Sequence, residues 1–207
     1  MGSIYANRVK TYGHHWYRPW LVFVFFLVVL FVLNWLAREE PPVAQVVCDN
    51  LPWSPYRAAV EVDGLVWTAD IDAALACARK QDRRVFVAFH AKSDTNSLVN
   101  ERTVFRDHRV KSALRGHVLV MLYIDFVPEC YYQRRTDQEV QRRDGEANYR
   151  FEEQRFQTAQ EPLYVVLQPE ADGEFKIVAE YDETRIQDVN RFVRFLQNLA
   201  SARHESR

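Results

Sequence analysis

Three cysteines, six histidines and six glycines bound the chemistry open to this chain of 207 residues. A thiol can attack a disulfide or bind a metal, but both tasks need a second group close by. Cys48, Cys77 and Cys130 are too far apart in sequence for a Cys-x-x-Cys pair or a zinc knuckle. An odd number of cysteines leaves at least one thiol free or bridged to another chain. His14 and His15 are adjacent, while His90, His108, His117 and His204 show no ligand spacing such as His-Glu-x-x-His, so no metal site is assigned. The glycines, at 2, 13, 64, 116, 145 and 173, never cluster into a phosphate-cradling loop. Nucleotide-binding fingerprints are thereby excluded, and no cofactor is expected.

Charge narrows the partners further. The chain carries 27 basic and 28 acidic residues, and residues 1–18 hold Arg8, Lys10 and Arg18 with no acid. The remainder is mildly acidic, which argues against nucleic acid as a ligand.

Trp20 to Ala37 contains no charge, and Asn34 is its one polar side chain. As a helix these residues would reach about 27 Å, close to the hydrocarbon thickness of a bilayer. Trp16, Tyr17 and Trp20 flank one end and Trp35 the other, where aromatic rings favour the interface. Residues 19–38 are therefore read as a single transmembrane helix contacting lipid. Arg38-Glu39-Glu40 after Ala37 does not resemble a signal-peptide cut. The cation bias places residues 1–18 in the cytoplasm and the C-terminal domain outside, periplasmic if the membrane is a bacterial inner membrane.

Pro41, Pro42, Pro52 and Pro55 suit an extended tether over 39–60, leaving 61–202 as one domain. In that domain Ile71, Ala74, Leu75 and Ala78 share a helical face, predicting a helix over 69–81. The runs VFVAFHA (85–91) and HVLVMLYIDF (117–126) predict strands buried on both faces. Residues 94–105 read as helical, with a second piece to Leu114. The stretch 130–160 holds six arginines interleaved with acids, a solvated helix or loop rather than a phosphate site. LYVVLQ (163–168) and EFKIVAEY (174–181) predict an antiparallel hairpin. A last helix runs from Thr184 to about Ala202, with Thr184 and Gln187 as a capping box. This is an α/β order, with a parallel crossover between the first two strands.

Trp67 with the Ala74/Ala78 helix, VFVAFHA, NERTVF (100–105), VLVMLYIDFVP (118–128) and EPLYVVLQP (161–169) together resemble the C-terminal thioredoxin domain of transmembrane thiol:disulfide interchange proteins. The resemblance implies a thioredoxin-like fold, a central mixed sheet flanked by helices. It also places the family's Cys-x-x-Cys on Asp94, Thr95, Asn96 and Ser97, so the motif is degenerate. Ser93 stands for the preceding tryptophan, Ala88 for the buried acid, and Pro162 for the cis-proline.

A thiolate nucleophile, a resolving thiol and a proton-handling acid are all required for exchange, and all three are replaced. Asp94 instead suits an N-cap. No catalytic residue is assigned. The expectation is a redox-inactive, membrane-anchored binding or scaffolding module for an exported or membrane protein. The alternative is a protein-disulfide oxidoreductase using Cys48, Cys77 or Cys130.

Overall fold

The computed structural model describes residues 24–25, 27–29, 54–57, 59–158 and 160–201. The chain divides into two compact units, Met1–Pro42 and Val43–Arg207. In the first, Val24, Phe25 and residues 27–29 are helical. Val24, Phe25, Leu27 and Val28 are exposed. Most of the apolar run 19–38 lies outside the described residues, and among those described no helix is long and apolar enough to cross a membrane.

The second unit is built on a six-stranded mixed sheet in the order β1-β2-β4-β3-β5-β6. It opens with a hairpin that the periodicity reading does not anticipate, β1 (Val60–Val62) and β2 (Leu65–Thr68). Asp63 and Gly64 turn it with φ of 52° and 75°, the paired left-handed conformation that a tight hairpin requires. Helix α1 (Ile71–Lys80) follows, started by the Asp70 carboxylate accepting from Ala73 N at 2.9 Å. Its buried face includes Cys77.

Strand β3 (Val85–His90) is buried at all six positions, as is β4 (Val118–Tyr123). They pair in parallel, the crossover running through α2 (Thr95–Arg102) and α3 (His108–Leu114). The polar stretch after β4 holds a short 3₁₀ turn, Glu129–Tyr131, and the long helix α4 (Gln138–Phe156). Strand β5 (Leu163–Pro169) pairs antiparallel with both β3 and β6 (Phe175–Tyr181).

Helix α5 (Val189–Ser201) starts later than expected. The Thr184/Gln187 capping box is not formed. Asp188 accepts from Arg191 N at 3.1 Å instead, and Thr184 lies in a loop drawn onto α2. Within the expected tether over 39–60, residues 54–57 are already fastened to the domain. Tyr56 bridges to Tyr132, and Arg57 N donates to Tyr131 O at 2.7 Å.

Alternation in β3 divides the core in two. Phe86 and Ala88 face a cluster with Trp67, Phe105, Tyr164 and Phe192. Val85, Val87 and Phe89 face another, with Leu75, Ala78 and Phe156. Helix α4 lies hard against the end of β4: a Cβ on Gly145 would sit 2.7 Å from the Asp125 carbonyl. That contact, with Asn148 Nδ2 donating to Tyr123 O at 2.9 Å, fixes which face of α4 turns inward.

Candidate functional site

The site lies where β3 hands over to α2. Four residues, 91–94, connect them, and side chains hold this loop from both ends. The Asp125 carboxylate accepts from Lys92 N at 3.1 Å, Ser93 N at 3.0 Å and Ser93 Oγ at 3.0 Å. Asp94 N-caps α2, its Oδ2 accepting from Ser97 N at 2.6 Å. Ser97 is fully buried, and its Oγ accepts from Ala91 N at 3.4 Å. Thr95 is exposed. Asn96 is half-buried and donates from Nδ2 to Thr184 Oγ1 at 3.4 Å.

Pro162 is buried, and the Glu161–Pro162 peptide bond is cis. Because Phe89 pairs with Leu163, Pro162 comes opposite the end of β3, beside the 91–94 loop. Ala88 sits in the core between its register partners Met121 and Tyr164. Asn100 carries more structure than its place in a polar run suggested. Its fully buried amide donates to Tyr164 Oη at 2.8 Å and Thr184 O at 2.7 Å, and accepts from Ile186 N at 3.1 Å. One side chain thus ties α2 to β5 and to the loop before α5.

The electrostatics of this corner are acidic. Glu161 is an exposed residue, yet its carboxyl is held above the ordinary range by the burial it does experience and by the charges of Asp94 and Asp125. Solvent screens those charges, so the effect on stability is small.

Glu152 differs. It is 2 % exposed, neither carboxylate oxygen has a hydrogen-bond partner, and burial followed by the charge of Glu161 pushes its carboxyl up to about 8. It sits on the inward stripe of α4, one turn from Asn148 and one from Phe156, which packs on Phe89. The domain therefore does bury an acid near the end of β3, supplied by α4 rather than by position 88. The sequence signal was weak, because Glu152 stands in a run of charges that reads as solvated.

His90 is likewise buried, with Nε2 3.4 Å from Glu101 Oε2 but poorly aligned for a hydrogen bond. The imidazole nonetheless holds the Glu101 carboxyl below its usual range. Among the described residues no group of His, Cys, Asp and Glu could hold a metal ion.

Of the thiols, Cys77 is disulfide-bonded and Cys130 is free and exposed. Cys48, His14, His15 and His204 lie outside the described residues. Cys77 is therefore not a thiol awaiting a substrate.

The fold and its comparisons define a class of protein. The chain belongs to the thioredoxin-like family, whose profile matches residues 66–169. Similar solved structures include a thioredoxin from Thermus thermophilus, at 23% identity and a TM-score of 0.45, covering 65% of this chain and 85% of that one. A second is a DsbH oxidoreductase, at 15% identity and a TM-score of 0.46, covering 80% of this chain and 92% of that one. No curated protein matches the chain.

Two stability measurements probe the corner. Asp94→Ala should lower the unfolding free energy by about 1 kcal/mol, and Asp94→Asn by less, since either oxygen-bearing side chain can accept from Ser97 N. An unchanged denaturant midpoint for the alanine variant would mean that the cap contributes nothing.

Glu152 gives a pH signature. Folding raises its pKa from 4.5 to about 8, so over that window the native state holds the extra proton. Its contribution is therefore full below 4.5 and lost as pH rises through about 8. Urea midpoints taken between about pH 5 and about pH 8.5 should fall for the parent and fall less for Glu152→Gln. Identical slopes would assign the pH dependence to other groups.

Proposed function

We propose that this chain is a membrane-tethered thioredoxin-fold module on the exported side that binds or scaffolds another exported or membrane protein and does not itself exchange disulfides. The observation that carries this reading is the start of α2. A thioredoxin helix places two thiols there, the first activated by the helix N-terminus. Here a carboxylate and a hydroxyl occupy those turns, and both are engaged with backbone N–H groups. An alkyl hydroxyl also stays protonated at neutral pH unless a base is beside it, and the Ser97 hydroxyl is engaged with the Ala91 N–H rather than with a base.

The site keeps the parts of the fold that position a bound chain while lacking those that react with it. In this reading the binding surface lies beside Pro162 and the start of α2, along the 91–94 loop.

Three observations support the exported, tethered location. The apolar run over 19–38 has the length and aromatic flanks of a bilayer span. The described part of that run is helical, the conformation that a single spanning segment takes. The Cys77 disulfide belongs to oxidising compartments rather than to a reducing cytosol.

Insulin reduction by the full-length protein tests the redox part. The parent should show none, and Cys130→Ser should change nothing. Asp94→Cys with Ser97→Cys puts two thiols one helical turn apart, and this double variant should gain modest reductase activity. Activity in the parent that disappears with Cys130→Ser would establish the oxidoreductase reading instead.

Topology is tested with right-side-out vesicles or spheroplasts. Protease added outside should digest the C-terminal domain and spare residues 1–18. Full protection of the domain would overturn the orientation.

A further inference from the structure

Beside the 91–94 loop, the chain between β4 and α4 lines a depression of 750 Å³. Volumes of this order accommodate a ligand of several residues rather than a single ion. Its floor includes Phe126, and Lys92 reaches over that ring with Nζ 5.4 Å from the centroid. Arg135 lines it from the opposite side and makes no ion pair among the described residues.

The 19-residue helix α4 begins at its edge. Asp137 caps that helix by accepting from Val140 N at 2.9 Å, which offsets its charge. The N–H groups of Gln138 and Glu139 make no hydrogen bond among the described residues. They point out of the positive end of the helix.

Gln141 is the second, independent observation. It lines the depression and is 4 % exposed, and its backbone carbonyl is engaged by Val127 N at 3.1 Å. Its side-chain amide, however, has no partner among the described residues. The amide therefore opens onto the depression from an otherwise buried side chain, placed to meet a ligand there. Glu129 is the one opposing charge on the rim that no cap or ion pair occupies among the described residues. Two unpaired cations, a helix N-terminus and an idle amide face it.

We propose that this depression binds a carboxylate group carried by an extended, acidic polypeptide segment, with Lys92 and Arg135 as its charge partners and Gln141 as its buried hydrogen-bond donor. Phe126 and Pro128 supply apolar wall for the residues next to that carboxylate. The inference rests on the binding-module reading and deepens it by naming the chemistry of the partner. Lys92 links the two places physically, because its backbone is part of the loop that opens α2 while its side chain covers the depression.

The probe is a fluorescein-labelled hexapeptide of alternating glutamate and phenylalanine, titrated against the full-length protein in neutral detergent. Its counterpart with every glutamate replaced by glutamine is the control. The acidic peptide should bind at least about tenfold more tightly than the control, and added salt should weaken it. Lys92→Glu with Arg135→Glu, both surface changes, should cost about tenfold or more, and Gln141→Leu should weaken binding at an unchanged salt slope.

Equal binding of the two peptides, or indifference to the double charge reversal, would overturn the proposal. So would the absence of any binding at millimolar protein. Displacement of the peptide by inorganic phosphate at low millimolar concentration would show a phosphate site and would overturn the polypeptide assignment. Disulfide reduction by the parent would instead sink the binding-module reading while leaving these titrations to stand. Failure of one is thus distinguishable from failure of the other.

Discussion

Everything in the domain is arranged around a strand with no exposed face. β3 is buried at all six positions, pairs in parallel with β4 on one side and antiparallel with β5 on the other, and separates two apolar clusters. A strand in that position cannot carry an unpartnered charge without a large desolvation cost. Its C-terminal end is the first place along it where polar chemistry is possible, and all the polar machinery gathers there. The 91–94 loop, the Asp125 grip, the Asp94 cap and Pro162 all meet within a few residues of His90.

A corner that carries out no thiol exchange, as proposed for this one, has different requirements. A thiolate at a helix start is stabilised by the N–H groups and the dipole, and the same groups remain unsatisfied once the sulfur is gone. A carboxylate at position 94 answers that need, accepting from Ser97 N at 2.6 Å. Ala88 answers the complementary one, since a methyl group in the core beside Met121 and Tyr164 carries no charge to desolvate. The domain has not dispensed with buried acids, however. Glu152 is buried from α4, on the opposite face of the sheet from Ala88, with both oxygens unsatisfied. Its elevated pKa means that it is buried as the neutral acid over much of the pH range, which removes most of the Born cost.

How far the sequence revealed this depended on the range of the interactions. Buried strands were legible because six consecutive apolar residues leave little else to be, and α1 was legible from its spacing. The β1–β2 hairpin is not anticipated although Asp63-Gly64 is a turn signal, because strands of three and four residues are too short to show an alternation. Helix α5 was started at Thr184 because Thr-x-x-Gln is locally a capping box, and tertiary contact won: Asn100 claims Thr184 O and Ile186 N. Asn100, Gln141 and Glu152 were invisible for one shared reason. Each is a polar residue in a polar-looking segment, and only the fold decides that its side chain turns inward.

The same reasoning separates the two halves of the site. Residues 94–97 and Pro162 could be named from a motif, because a motif records local spacing. The depression lined by Lys92, Arg135 and Gln141 joins a loop before α2 to the start of α4, more than forty residues apart in sequence. No spacing rule links them; Asp125 does. Its carboxylate holds Lys92 N and Ser93 N, and its own peptide unit is the surface on which Gly145 lets α4 settle. That close approach sets the inward stripe of α4, and with it the burial of both Gln141 and Glu152. A residue larger than glycine at 145 would lift the helix, open the depression and expose the acid together. The capped loop and the anion-facing depression are therefore one mechanical unit, built on the turn that ends β4.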